Sequence, residues 1–276
     1  VLLRCADKTL DLSSPVVMGV LNVTPDSFSD GGRFAGVEAA VAHGLAMAAA
    51  GAALIDVGGE STRPGAAPVS APEELRRVIP VIAALAAATA AVISVDTSKP
   101  EVMQAAAGAG AGLINDVQAL RSPGALQAAA ASGCAVCLMH MQGEPRTMQL
   151  APQYADVFAE VRAFLAARAA ACRAAGIADT RLVIDPGFGF GKTVEHNLTL
   201  LRRLGELARD GLPVLVGLSR KSMLGTLTQR APGERTAGSV ALAVVAALGG
   251  ARIVRAHDVA PTVDALRVVA AVQGGR

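Results

Sequence analysis

Asp96, Asn115 and Asp185 each close a short run of Val, Ile and Leu, so three separate segments deliver oxygen acceptors at equivalent positions. Such a set suits a flat heterocycle presenting several N–H donors, because bidentate bonding to a carboxylate fixes the ring's orientation. Arg255 and His257, with Lys221 on an earlier segment, supply positive charge suited to a phosphate-bearing leaving group. Asn22 and Asp56 offer oxygens to Mg²⁺, a metal that pairs naturally with phosphate. A helix-cap or turn role explains any one of these residues, since Asp, Asn and Ser cap helices routinely. It explains less well eight clusters in one chain: NVTPD from Asn22, DVGGE from Asp56, DTS from Asp96, Asn115-Asp116, His140-Met-Gln, Asp185-Pro-Gly, Ser219-Arg-Lys and Arg255-Ala-His-Asp.

The elements that must position these clusters are legible as eight apolar runs: Val16–Val23, Ala53–Val57, Val92–Val95, Gly112–Asn115, Ala135–His140, Leu182–Asp185, Val214–Leu218 and Arg252–Ala256. They are short and apolar on both faces, as parallel strands covered on both sides must be. Between them lie segments rich in helix formers, including Val37–Ala50, Pro72–Ala88, Tyr154–Ala175, Val194–Ala208 and Ala237–Leu248. Gly51, Gly133, Gly176 and Gly211 stand where helices should stop. Eight β-then-α repeats predict an α/β fold, a (β/α)8 barrel whose C-terminal rim would gather every polar cluster. A doubly wound open sheet is the alternative, because strand number alone does not prove closure. The first dozen residues are expected to form a hairpin plugging the barrel's base. The long Gly, Pro, Ser and Asp-rich stretches Pro25–Ala35 and Gly58–Val69 read as lids.

Composition narrows the function classes. The 276 residues are 52% hydrophobic and 17% charged with a net charge of +2, which excludes a disordered chain and gives no footprint for nucleic acid or an anionic membrane. No linker or composition shift divides residues 1–276, so a single domain acting on small molecules is expected. The N-terminal stretch VLLRCADKTLDL lacks the unbroken apolar core of a signal peptide. Val78–Val95 is uncharged and long enough to span a membrane, but Pro80 and the β-branched Val92, Ile93 and Val95 read as a helix followed by a buried strand. With Cys5, Cys134, Cys137 and Cys172 in no disulfide pattern, a cytoplasmic protein is expected.

Several motifs fail on their chemistry. In Gly187–Thr193 (GFGFGKT), Pro186 stands where a phosphate loop needs its first glycine, and the dinucleotide fingerprint also fails. Cys134-x-x-Cys137 has no second pair and lies in an apolar strand, so buried thiols are expected rather than a zinc or redox site. His140 serves equally as a hydrogen-bonded wall residue, and His43 and His196 fall in helical segments.

Taken together, Asn22–Gly32 (NVTPDSFSDGG), Asp56–Gly65 (DVGGESTRPG), Ser94–Lys99 (SVDTSK), Ile114–Val117 (INDV), Met139–Gly143 (MHMQG), Asp185–Lys192 (DPGFGFGK), Gly217–Ser222 (GLSRKS) and Arg255–Asp258 (RAHD) strongly resemble the dihydropteroate synthase family of bacterial folate synthesis. The likeness covers nearly the whole chain in order, with minor departures at Met223 and Leu224. It implies a (β/α)8 barrel, usually a homodimer, that joins 6-hydroxymethyl-7,8-dihydropterin diphosphate to 4-aminobenzoate with Mg²⁺ and is open to sulfonamides as competitors. Carried over by motif, Asp96, Asn115, Asp185, Phe190 and Lys221 would hold the pterin. Asn22 would ligate Mg²⁺ and, with Thr62, Arg255 and His257, meet the diphosphate. Phe28, Thr62, Pro64, Lys221 and Ser222 would form the aminobenzoate pocket, with Asp30 and Arg63 on closing lids. Asp30, Arg63, Asp185, Lys221, Arg255 and His257 would carry catalysis. The resemblance gives little support to Asp56 as a second metal ligand. A pterin-binding methyltransferase, needing a corrinoid partner, or a catalytically silent pterin-binding paralogue are the alternatives.

Overall fold

In a computed structural model, which describes residues 1–23, 32–61, 67–143, 148 and 151–274, the eight apolar runs become eight parallel strands. A hairpin of β1 (Leu2–Cys5) and β2 (Lys8–Asp11) precedes them. The parallel strands are β3 (Val16–Asn22), β4 (Leu54–Gly58), β5 (Val92–Asp96), β6 (Leu113–Asp116), β7 (Ala135–Met139), β8 (Leu182–Asp185), β9 (Leu215–Gly217) and β10 (Ile253–Ala256). The helices between and after them are α1 (Gly32–Ala49), α2 (Ala71–Ala88), α3 (Pro100–Gly108), α4 (Ala125–Ser132), α5 (Val157–Ala174), α6 (Val194–Arg202), α7 (Leu204–Ala208), α8 (Ser222–Thr228), α9 (Thr236–Leu248) and α10 (Val259–Val272).

Pairing runs β8-β7-β6-β5-β4-β3-β10-β9. A parallel bridge between Ile184 and Val214 then joins the two outer strands, with the Ile184 N–H donating to the Pro213 carbonyl at 3.0 Å. The sheet therefore curls into the expected barrel, and the open doubly wound alternative does not apply.

Strand alternation sorts the apolar side chains into two cores. Val17, Leu21, Ile55, Val57, Ile93, Val95, Ile114, Val136, Leu138, Ile184, Val216 and Val254 face outward into the helix layer. Met18, Leu54, Val92, Leu113, Ala135, Val183, Leu215 and Ile253 pack with Leu3, Cys5 and Leu12 as a separate cluster inside the barrel. The N-terminal hairpin thus plugs the base as expected, and Lys8 anchors it by donating to the carbonyls of Thr89 and Ala91 at 3.3 and 2.9 Å.

Local chemistry refines the helix limits. α5 begins after Asp156, whose carboxylate accepts from the N–H groups of Phe158 and Ala159, so the expected start at Tyr154 moves inward. The single helix expected over Val194–Ala208 is two. It breaks at Arg203 (φ −101°, ψ 10°), where the guanidinium lies 3.8 Å over the Phe158 ring and bonds Glu206. Val78–Val95 is the end of α2, a turn and β5. No helix among the described residues is long and apolar enough to cross a membrane.

Candidate active site

Two residues beyond the apolar layer the barrel's interior turns polar. Leu54, Val92, Leu113, Val183 and Ile253 are followed at that spacing by Asp56, Ser94, Asn115, Asp185 and Arg255. Strand period 2 brings all five to the same side, so their meeting is a consequence of register. At the upper rim the pairings Asn22↔Gly58, Gly58↔Asp96 and Asp96↔Asn115 set Asn22, Asp96 and Asn115 along one edge of the mouth.

Asp56 organises this layer. It is fully buried and accepts from Ser94 Oγ at 2.5 Å, Asn115 Nδ2 at 3.0 Å and Arg255 Nε at 2.6 Å. The bond from Nδ2 fixes which way the Asn115 amide lies. Arg255 reaches onward, donating from Nη2 to Asp96 Oδ2 at 3.0 Å, so one guanidinium ties two carboxylates. The suggestion of Asp56 as a metal ligand is corrected here: its oxygens are engaged below the rim by a hydroxyl, an amide and a guanidinium. Nothing in its residue type distinguished this role; inward parity with Leu54 was the available signal.

The charges are mutually adjusted. Burial and the nearby Asp56 push the Asp96 carboxyl up to about 7, with Arg255 opposing. Burial likewise raises Asp185 to about 6, against the bond its Oδ1 accepts from the Gly187 N–H at 2.7 Å. Burial lowers Lys221 to about 8, opposed by Asp185. For Arg255, burial disfavours the charge but Asp56 and Asp96 outweigh it, holding the pKa above the ordinary value. An anionic wall of three carboxylates thus faces Lys221 and Arg255 inside a largely dry mouth, an arrangement suited to a polar ring carrying an anionic tail.

Lys221 caps the start of α8 and donates to the Phe188 carbonyl at 2.8 Å, with its ammonium 4.1 Å over the Phe190 ring. Its backbone is held by the next elements. Arg220 (φ 57°) makes a two-point ion pair with Asp258, and Arg235 Nη1 donates to the carbonyls of Arg220 and Lys221 at 3.1 and 3.2 Å. Ser222 is exposed in the first turn of α8. The His257 N–H donates to Ser219 Oγ at 3.1 Å, and its ring Nδ1 lies 3.1 Å from the same hydroxyl. Asp116, one residue past Asn115, shapes the turn after β6: it accepts from Ser98 Oγ and from the N–H groups of Gln118 and Leu120. Sequence reasoning did not foresee Arg220, Arg235 or Ser94, which touch their partners through contacts distant in sequence.

The structure therefore gathers Asn22, Asp96, Asn115, Asp185, Phe190, Lys221, Ser222, Arg255 and His257 at the strand ends. Phe28, Asp30, Thr62, Arg63 and Pro64 lie outside the described residues. All four cysteines are buried free thiols, as expected, and among the described residues no group of three or more His, Cys, Asp or Glu is arranged to hold a metal. His140 is a wall residue, buried and bonded to Lys192.

A polar barrel mouth of this kind defines a binder of nitrogen-rich heterocycles, and the comparisons agree. The family described as "Pterin binding enzyme" matches residues 18–257. Dihydropteroate synthase of Escherichia coli (strain K12) is 59% identical over 95% of this chain and 93% of its own. The enzyme of that name from Haemophilus influenzae is 51% identical over 95% of each chain. Among solved structures, Yersinia pestis dihydropteroate synthase with a sulfonamide drug superposes with a TM-score of 0.95 at 54% identity, covering 100% of each chain. The Xanthomonas albilineans enzyme in complex with 7,8-dihydropteroate gives 0.91 at 56% identity, again over 100% of each. The chain belongs to the pterin-binding enzymes and, within them, to the dihydropteroate synthases.

Proposed function

We propose that this protein is a transferase that condenses 6-hydroxymethyl-7,8-dihydropterin diphosphate with 4-aminobenzoate, giving 7,8-dihydropteroate and diphosphate. The observation that carries the reading is the Asp56–Arg255–Asp96 array set between Asn115 and Asp185. It offers acceptors for a pterin's N–H groups beside a cation for its diphosphate. A related solved structure from X. albilineans contains 4-aminobenzoic acid, and another from that source contains the product.

In the mechanism, Asp96, Asn115 and Asp185 orient the pterin by hydrogen bonds, and Phe190 and Lys221 cover its ring. The C–O bond at the exocyclic methylene breaks first, its electron pair leaving with the diphosphate. Arg255 and His257 meet the charge that develops there, a role for preorganised donors that cost no reorganisation. The electron-rich dihydropterin delocalises the methylene cation, so no protein nucleophile is required. The amine of 4-aminobenzoate then forms the C–N bond and loses a proton. Exclusion of water from the site protects the cation until that attack, with Asp30 and Arg63 on the closing segments. Phe28, Thr62, Pro64, Lys221 and Ser222 contact the aminobenzoate.

Mg²⁺ fits as a partner of the diphosphate. The exposed Asn22 at the end of β3 supplies one amide oxygen, and Mg²⁺ keeps several waters while bound by few protein oxygens and substrate phosphates. When bound, it would neutralise phosphate charge and assist departure of the diphosphate. We further infer a cytoplasmic homodimer. The four free thiols suit a reducing compartment, and Val245 and Leu248 of α9 with Val268 and Val272 of α10 are exposed apolar side chains on neighbouring helices.

The test mixes the protein with the pterin diphosphate, 4-aminobenzoate and Mg²⁺ and assays dihydropteroate by mass spectrometry. Product that disappears on omitting Mg²⁺ is expected. Folded protein that binds the pterin without forming product would shift the assignment to a methyltransferase or a silent paralogue.

A further inference from the structure

Lys192 is a cation that the mechanism leaves without a task, and lysine is almost never fully buried unless its ammonium is satisfied. Here it is 3% exposed. Its ammonium lies 2.9 Å from the Gly187 carbonyl, 3.0 Å from the Phe190 carbonyl and 3.0 Å from His140 Nδ1, one acceptor for each proton, with the His140 carbonyl at 3.4 Å. Burial, with Lys192 nearby, pushes the His140 imidazole down to about 3, so the ring is neutral and Nδ1 can accept.

The loop around it is built for this. Positive φ at Gly187 (69°), Gly189 (78°) and Gly191 (63°) turns the chain sharply between β8 and α6. Lys192 takes the carbonyls of Gly187 and Phe190, and Lys221 takes that of Phe188 between them. The Gly187 N–H, one peptide from the first of these carbonyls, is the group that bonds Asp185 Oδ1. The loop that carries Asp185 and Phe190 is thus clamped by two ammonium groups.

We infer that Lys192 is a positioning residue for the pterin, holding the Asp185 carboxylate and the Phe190 ring in place through the Gly187 and Phe190 carbonyls. The inference rests on the assignment of this mouth as the pterin site. It makes a distinction that a merely structural role would not: losing the clamp weakens pterin binding in protein that remains folded.

The probe is 6-hydroxymethylpterin diphosphate, titrated calorimetrically into the wild-type protein first and then into Lys192→Met, with melting curves and steady-state kinetics alongside. Methionine keeps much of the apolar stem and removes all three donors. The expected result is a Kd and a pterin KM raised about tenfold, with kcat per folded molecule reduced far less, because a displaced loop costs ground-state contacts most. Lys192→Gln, which retains two donors, should recover part of the affinity. A lowered melting temperature with Kd changed by less than threefold would overturn the inference and leave Lys192 a purely structural group. Should Lys192→Met fail to fold, His140→Ala is judged by the same threefold limit, since it removes one of the three acceptors. Absence of binding by the wild-type protein would overturn the pterin assignment itself, and the inference with it.

Discussion

Replacing Asp56 tests whether the mouth is organised from below. Asp56→Ala removes the acceptor of three donors: Ser94 Oγ, Asn115 Nδ2 and Arg255 Nε. Each stranded neutral donor costs roughly 1–3 kcal/mol, and breaking a buried ion pair costs about 3–5 kcal/mol. These do not add, since Arg255 keeps Asp96 and its side chain is 23% exposed, so water shares the burden. A net loss of about 4 kcal/mol is expected, which for a domain of this size lowers Tm by roughly 8–16 °C. Asp56→Asn should be milder, because it keeps the volume and one accepting oxygen. It carries a second, independent signature. The Asp56 charge helps raise Asp96 to about 7, so its removal must move Asp96 back toward the ordinary carboxylate range. Thermal circular dichroism measures the first effect and carboxyl-carbon NMR titration of Asp96 the second. A Tm change below about 2 °C in Asp56→Ala, or an unmoved Asp96 titration in Asp56→Asn, would refute the arrangement described above.

Asp185→Asn should abolish useful turnover yet raise stability at pH 8. Asp185 titrates near 6 in the folded protein against a model value of 3.8, so the folded state carries a penalty of about 3 kcal/mol once pH exceeds 6, and none below about 4. The variant's Tm advantage should therefore shrink on going from pH 8 to pH 4; near-normal catalysis, or an advantage independent of pH, would count against the assignment. Gly187→Ala should leave little folded protein on expression, because the added Cβ would overlap the His140 carbonyl oxygen at a position with φ 69°. Wild-type-like yield and melting would contradict the geometry of that loop. Sulfonamides should inhibit turnover competitively with 4-aminobenzoate, given Phe28 and Pro64 in the pocket assigned to it; non-competitive kinetics would remove those residues from that pocket.

Much of this architecture was legible because parallel barrel strands write themselves as short apolar runs, and because the polar residue ending each run falls on one rim once the sheet closes. The break at Arg203 was not legible. Both flanking segments have helix-forming composition, and the cause is a stacking contact with Phe158 on another helix. The role of Asp56 was misread for a similar reason: an acidic residue at a strand end looks like a metal ligand until the register shows it one layer below the rim.

Residue types and their order along the chain determined the barrel, the hairpin at its base and the acceptors at Asp96, Asn115 and Asp185. Those features depend on patterns local to a strand or a loop, where period and chemistry are printed in neighbouring residues. Only the tertiary structure decided who neutralises whom: that Arg255 joins Asp56 to Asp96, that Lys192 and Lys221 hold one glycine-rich loop between them, and that Arg235 supports Lys221. Charges inside a dry barrel interact through space with strengths set by distance and burial, and neither quantity exists until the chain has folded.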